Sequence, residues 1–360
     1  MTKVLKKILK FICILIGIVV LSVIIYASYV VISYHRIEDK TNCEIVNNND
    51  AIVDVNKEYT IVTYNIGFGA YCQDYTFFMD GGKESRARSK DSVIDLVTGA
   101  GDLVKSFDPD FVLFQEVDIN STRSYHVNQI DLLAGIFKDY NYTYAINYDS
   151  AYLPVPPIKP HGKSKSSLCV FSKEKIDSSL RRSLPISTSF SKFLDLDRCY
   201  DVVRFSLGDK DLVIYNAHLS AYGGTDEIRT GQMTMLFEDM QQEFDKGNYC
   251  ICGGDFNHDF TGISTQDLNG GATVDFGWAQ PFPIDLLNNY TGLKRQIGYN
   301  EGLIKPTCRN CDEPYEIGNF TIIVDGFITT TNITVTSLEN IVTDFVYSDH
   351  NPVVLKFKLN

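Results

Sequence analysis

Polar residues of the kinds that handle protons and bind anions or cations interrupt the apolar runs of this chain at recurring places. Asn65 closes the run Thr60–Tyr64, and Gln115-Glu116 follows Phe111–Phe114. Asn216-Ala-His218 ends another run, and Gly253-Gly254-Asp255-Phe256-Asn257 follows Tyr249–Cys252. Ser348-Asp349-His350 instead precedes the last apolar run. A carboxylate set against water can orient or deprotonate it, and imidazole can donate to an anion, so this mixture suits hydrolysis of an anionic ester. Each residue alone has an ordinary explanation: Asn65 or Asn257 capping a turn, Asp255 preceding a helix, His218 satisfied in the core. It is the order of the set at strand ends that points to chemistry. No Gly-x-Ser-x-Gly elbow is present to suggest a covalent serine route.

Strands must bring these residues together, since their sequence separations are long. The β-branched and aromatic runs predict strands over Thr60–Ile66, Phe111–Val117, Leu168–Ser172, Val202–Leu207, Leu212–Leu219, Tyr249–Gly254, Phe320–Thr329 and Pro352–Leu359. Helices are expected over Asp226–Phe244, with Ile228, Leu236, Met240 and Phe244 on one face, and over Ser89–Phe107 and Asn128–Lys138. Gly99 and Gly101 interrupt the second of these. Strands alternating with helices imply an α/β architecture. The last strand must run antiparallel to put Asp349 and His350 at the same rim as the other strand ends.

Taken together, Tyr64-Asn65, Gln115-Glu116, Asn216-Ala217-His218, Gly254-Asp255-Phe256-Asn257, Val324-Asp325-Gly326 and Ser348-Asp349-His350-Asn351-Pro352 resemble the motifs of the endonuclease/exonuclease/phosphatase superfamily, from about Tyr59 to the C-terminus. The resemblance implies a four-layered α/β sandwich of two mixed sheets flanked by helices. It implies Glu116 as principal metal ligand with Asn65 and Asp349 beside it, an oxygen-rich set that suits Mg²⁺ or Mn²⁺. Asp255 would act on the attacking water, Asn257 would hold that water or a phosphate oxygen, and His218 and His350 would contact the phosphate, with Asp325 orienting His350. The pattern departs from the family at Gly326, where many members carry a bulky or aromatic residue. Arg123 and Tyr222 are further candidates for contact with a substrate phosphate.

The N-terminus bears on where this chemistry happens. Phe11–Tyr34 is a run of 24 residues without a charge, about 36 Å as a helix, against a hydrocarbon core of about 30 Å. A cleaved signal peptide usually has an apolar stretch of only about 7–15 residues, so an uncleaved transmembrane anchor is expected. Lys3, Lys6, Lys7 and Lys10 form a basic tail that belongs in the cytoplasm and sends the rest of the chain outside. The expected organisation is a tail over 1–10, the anchor over 11–34, a polar linker over 35–58 and a catalytic domain over 59–360.

Composition narrows the substrate. Of 33 basic residues four lie in the leader, leaving 29 against 45 acidic ones, a net of −16 for the exported part. That disfavours broad electrostatic binding of a polyanion without excluding a small basic patch. The expected substrate is a phosphoester, either nucleic acid or a phospholipid head group. The latter fits the anchor and an apolar loop rich in proline (Pro154, Pro156, Pro157, Pro160), which could otherwise simply pack on the domain. A non-catalytic binding module would be expected to lack Glu116, Asp255 or His350, and all are present. Cys250 and Cys252 alternate in a strand as small core residues, whereas Cys308-x-x-Cys311 could form a local disulfide or half of a zinc site.

Overall fold

The computed structural model describes residues 2–189, 192, 197–221, 226–262, 264–270, 278, 280–297 and 304–360. The first helix, α1 (Lys3–Ser33), is long and apolar enough to cross a membrane, and its most apolar stretch is not buried against the rest of the protein. Beyond it, two seven-stranded mixed sheets pack face to face. In chain order the strands are β1 (Thr41–Asn42), β2 (Ile45–Val46), β3 (Glu58–Asn65), β4 (Phe111–Asp118), β5 (Asn141–Asp149), β6 (Lys165–Ser172), β7 (Ser178–Ser183), β8 (Cys199–Ser206), β9 (Asp211–His218) and β10 (Tyr249–Asp255). After them come β11 (His258–Asp259), β12 (Gln280–Pro281), β13 (Leu293–Gln296), β14 (Cys308–Arg309), β15 (Thr321–Ile322), β16 (Asp325–Thr330), β17 (Ile333–Asn340) and β18 (Val353–Leu359). One sheet has the order β17-β18-β3-β4-β6-β5-β2, the other β1-β7-β8-β9-β10-β16-β13; β11 with β12 and β14 with β15 form small ribbons.

Strand alternation accounts for the layers. Inward-facing Ile61, Phe111, Leu113 and Val170 from one sheet meet Val203, Phe205, Leu212, Ile214 and Ile251 from the other in the inter-sheet core. The opposite face of the first sheet, with Val62, Tyr64, Val112 and Phe114, is covered by α2 (Lys90–Ser106) and α3 (Gln129–Ile136). The outer face of the second is covered by α4 (Asp226–Asp245), through Met233, Leu236, Phe237 and Met240. Two shorter helices, α5 (Ser264–Leu268) and α6 (Ile284–Leu287), lie in the connection that follows β11. This is the expected four-layered sandwich. Gly99 and Gly101 leave room in α2 for the ring of Tyr347 and for Ile136 of α3, which is why a helix tolerates both.

All eight expected strands are present, but Phe320–Thr329 is broken into β15 and β16. Between them the Ile323 and Val324 carbonyls accept from the Phe260 and Phe256 amides at 2.7 and 3.0 Å, tying down the loop after β10. As expected, β18 runs antiparallel to β3. Strands β5 and β7 escape an apolar-run reading because their buried faces carry small polar residues. Thr143 donates to Ser179 at 2.9 Å and Ser179 to Asp201 at 2.9 Å, a polar seam joining the two sheets.

The segment 35–58, expected as a polar linker, lies against the domain. β1 pairs with β7 and β2 with β5, so the segment extends an edge of each sheet. The buried Arg181 guanidinium donates to the Ile37 and Glu38 carbonyls, each at 3.3 Å, and Asp197 accepts from the Ile37 amide at 3.1 Å. Two-residue strands are too short to show a period, so composition alone read as a spacer.

The departure at Gly326 has a steric cause. Gly326 pairs with Gly254 across β16 and β10, and the ring of Phe260 lies over it, so an added Cβ would meet that ring at 2.5 Å. Gly326→Val should therefore destabilise the protein by about 1–3 kcal/mol through overpacking. The urea denaturation midpoint of the purified protein measures it, and an unchanged midpoint would contradict this packing account.

Candidate active site

Strand register assembles the centre of the site. In β9, β10 and β16, His218 stands opposite Asp255, and Asp255 opposite Asp325. Three adjacent strands therefore present His218, Asp255 and Asp325 in one row at the sheet's rim. The close approach of β10 to β9 there requires Gly254, whose added Cβ would meet the Ala217 carbonyl oxygen at 2.0 Å. Asn65 reaches across from the other sheet, its Nδ2 donating to Asp255 Oδ2 at 3.0 Å. His350, in the turn before β18, closes the group: its Nδ1 lies 2.8 Å from Asp325 Oδ2, and its Nε2 3.8 Å from Asp255 Oδ2.

The joint between the sheets is polar directly beneath this row. Gln115 Nε2 donates to Asn216 Oδ1 at 2.7 Å and to Thr63 Oγ1 at 3.0 Å. Asn216 Nδ2 donates in turn to the Phe114 and Cys169 carbonyls at 3.1 and 3.0 Å. The residue after Gln115 breaks the alternation of β4. Glu116 has φ 54° at an irregularity in the β4–β6 register, so this bulge turns it out of the pleat.

Glu116 and Asp349 line one cleft with His218, Asp255, Asn257 and His350. Asn257, at φ 49°, donates its Nδ2 to the Leu219 carbonyl at 2.8 Å, and its own amide donates to Asp255 Oδ1 at 2.9 Å. Ser348 Oγ donates to the Asn65 carbonyl at 2.8 Å and lies 3.1 Å from Asp349 Oδ1, tying the last motif to the first.

Burial sets the protonation states. Asp255 is pushed up to about 7 mainly by burial, with the positive charge of His350 opposing and Asp325 adding to the rise. His350, despite burial, is held well above its usual value by the Asp325 carboxylate against its Nδ1 and by Cys308 and Asp255 beyond. His218 goes the other way, lowered by burial and by the charges of Arg198, His350 and Arg123, so it stays neutral. Glu116 is raised, first by burial and further by Asp349, with Arg123 opposing.

Among the described residues, Asp255, Asp325 and His350 form one group tight enough to hold a metal ion, but Asp325 and His350 are already bonded to each other. The expected ligands Asn65, Glu116 and Asp349 contribute an amide and two carboxylates of the right hard-oxygen chemistry. The rise at Glu116 beside a second carboxylate marks a place where a cation would be favourable. Asn65 spends its Nδ2 on Asp255 and accepts from the Gly67 amide through Oδ1 at 3.0 Å, leaving a second lone pair.

Arg123 lines the cleft with its guanidinium engaged. Nε and Nη2 donate to Asp118 at 3.0 and 2.9 Å, Nη2 is 3.6 Å from Glu116, and the group stacks over Phe68 at 3.8 Å. Such a buried pair fixes the bulge at Glu116 from behind. Tyr222 lies outside the described residues. Arg198, which no motif or spacing marks, also lines the cleft, nine-tenths buried and with Nη1 free of any partner. Cys308, singled out in the sequence only as half of a Cys-x-x-Cys pair, is a neighbour of the site, its Sγ 3.7 Å from His350 Nε2. All nine cysteines are free thiols, Cys308 and Cys311 among them.

The rise at Asp255 has a thermodynamic consequence. A carboxyl whose pKa is raised by folding destabilises the fold when ionised, fully above about pH 7 and not at all below its unfolded value near 4. Asp255→Asn should therefore raise the melting temperature of chelator-treated protein at pH 8, and the gain should shrink as pH falls towards about 4. Thermal melts across that range check it; a gain independent of pH would refute the shift.

The chain matches the family described as Endonuclease/Exonuclease/phosphatase family over residues 62–351. No curated protein matches its sequence. Among solved structures it is similar to a family protein from Leptotrichia buccalis at 14% identity and TM-score 0.54, covering 84% of this chain and 100% of that one. It is similar to ANGEL2, described as a 2′,3′-cyclic phosphatase, at 15% identity and TM-score 0.54, covering 90% and 99%. The human Nocturnin catalytic domain aligns at 16% identity and TM-score 0.51, covering 88% and 98%. With the family's sequence pattern running across both sheets and the whole cleft, this chain belongs to the endonuclease/exonuclease/phosphatase family of phosphoester hydrolases.

Proposed function

We propose that this chain is a membrane-anchored, divalent-metal-dependent phosphoester hydrolase, of phosphodiesterase or nuclease type, that drives water onto phosphorus without a covalent intermediate. The observation that carries this reading is the row His218–Asp255–Asp325, closed by His350, on one cleft with Glu116 and Asp349. Asp255, with its pKa near 7, can take a proton from water at neutral pH. His350, kept cationic by Asp325, directs its Nε2 towards the cleft to donate to a phosphate oxygen. Neutral His218 adds a hydrogen-bonding group without adding charge, and Arg198 brings an uncommitted cationic donor. Glu116, Asn65 and Asp349 would hold Mg²⁺ or Mn²⁺, which when bound supplies Lewis-acid stabilisation of charge growing on phosphate.

The anchor is α1, with its four lysines on the cytoplasmic side and the hydrolase domain on the other. A second reading, a phospholipid or sphingomyelin head-group phosphodiesterase, is favoured by one observation. The hydroxyl of Tyr26 in α1 donates to the Tyr152 carbonyl at 3.0 Å, putting the proline-rich loop against that helix. The description of ANGEL2 as a 2′,3′-cyclic phosphatase supports phosphoester chemistry on this fold and leaves the substrate open.

A fragment beginning at His35, which keeps β1 and β2, should hydrolyse a generic phosphodiester with Mg²⁺ or Mn²⁺ and stop on chelation. Activity persisting in chelator would sink the metal assignment. Glu116→Ala and His350→Ala should each lower kcat by about 10²-fold or more, the second also lowering the melting temperature because it leaves the buried Asp325 carboxylate without its partner, and near wild-type rates in either would refute the site. Parallel assays on plasmid DNA, single-stranded RNA and phospholipid or sphingomyelin vesicles divide the readings, since turnover of lipid alone would eliminate the nuclease.

A further inference from the structure

The loop between β5 and β6 runs from α1 to the wall of the cleft. At one end its backbone is bound on both sides by tyrosines of α1: Tyr26 donates to the Tyr152 carbonyl at 3.0 Å, and the Tyr152 amide donates to the Tyr29 hydroxyl at 3.1 Å. At the other end His161 lines the cleft, its ring edge-on to Phe68 and Phe77 at 6.4 and 6.0 Å. The stretch between is clamped: Ser85 and Arg86 donate to the Lys159 and Pro160 carbonyls, and Leu153 and Gly162 exchange both backbone hydrogen bonds at 3.1 and 2.9 Å.

What the loop turns outward is apolar. Ile158 is 86% exposed and Val155 46%. Four prolines remove backbone donors that would otherwise need water, so the segment can approach a lipid phase at lower cost than an ordinary loop. Tyrosines at one end of a long apolar helix are residues of the membrane–water boundary, and their hydroxyls are what the loop binds. Exposed Lys159 beside the apolar tip matches an anionic head group, while Lys163 is paired with Asp149 at 3.0 Å.

We propose that this loop is a second membrane contact, resting in the lipid interface beside α1, and that it holds the mouth of the cleft close to the bilayer, so that the substrate is a phosphoester presented at a lipid surface. The proposal rests on reading α1 as the membrane anchor. A rigid strut beside the helix limits rotation of the domain about its tether, which a single helix alone would leave free. The occupant of the apolar tip is then lipid, in the same bilayer that α1 enters.

The chain contains one tryptophan, Trp278, so the full-length Trp278→Phe protein is a blank background for fluorescence. Into it Ile158→Trp, Ile18→Trp in α1, and Ile317→Trp at a site 97% exposed are introduced one at a time. Each protein is reconstituted in phosphatidylcholine/phosphatidylglycerol vesicles with acyl chains brominated near the head group. The expected result is a several-fold loss of emission at positions 158 and 18 and none at 317. Emission at 158 that survives bromolipid while that at 18 is quenched overturns the loop contact and leaves the anchor standing, whatever else covers the loop. Loss at neither position overturns anchor and loop together. The readout is independent of turnover, so a failed hydrolase reading would be seen separately in the chelation and Glu116→Ala assays.

Discussion

Burying several ionisable groups against one another at the rim of a sheet is the constraint from which the rest of this structure follows. Asp255 and Asp325 stand on adjacent strands at the same rung, and two like charges so placed cannot both ionise without a compensating cation. His350 supplies that charge through a 2.8 Å contact with Asp325, which leaves buried Asp255 as the member that keeps a proton up to about pH 7. His218 on the neighbouring strand is kept neutral by burial first and then by the same positive surroundings. Four residues thus divide into a cation, its counter-ion, a base and a neutral donor through burial and spacing alone.

Such a row works only if the second sheet is held rigidly over the first. The apolar inter-sheet core fixes their separation through close packing, whose individual contacts are weakly directional. Gln115 and Asn216 add direction: their hydrogen bonds link β4 to β9 and reach the carbonyls of Phe114 and Cys169. Since Gln115 immediately precedes Glu116 and Asn216 lies two residues before His218, the joint sets the position of the proposed metal ligand Glu116 relative to the proposed phosphate contact His218. Asn216 is bonded through both Oδ1 and Nδ2, whereas Gln115 Oε1 is buried without a partner, a cost the joint carries.

Much of this was legible because strand ends are marked by a change from apolar to polar residues. Asn65, His218, Asp255 and Asn257 stand out for that reason, and the antiparallel sense of β18 follows from placing His350 at their rim. What stayed hidden lacked a period or a local signal. The bulge that turns Glu116 outward is a backbone event of one residue, and β1 and β2 are too short to alternate. The inward faces of β5 and β7 bear Thr143, Ser179 and Arg181, polar residues whose burial is acceptable only because partners from distant segments meet them. Arg198 stands just before β8 with nothing in its neighbours to mark it.

The distribution of charge adds a last step. The part of the chain beyond the leader is strongly acidic, yet Arg123, Arg198 and Arg309 all line the cleft and are almost wholly buried. Arg123 is spent on Asp118, and Arg309 donates to the Cys72 and Tyr75 carbonyls at 3.1 and 3.2 Å, so both mainly brace the walls. Their charge is nonetheless felt inside, where the dielectric is low and screening weak. Inside the cleft the three guanidiniums face four carboxylates, Asp80, Glu116, Asp255 and Asp349, so sites for a cation and for an anion lie side by side within one cavity. With the chain beyond the leader net acidic, the electrostatic attraction open to a phosphate is concentrated at these buried guanidiniums.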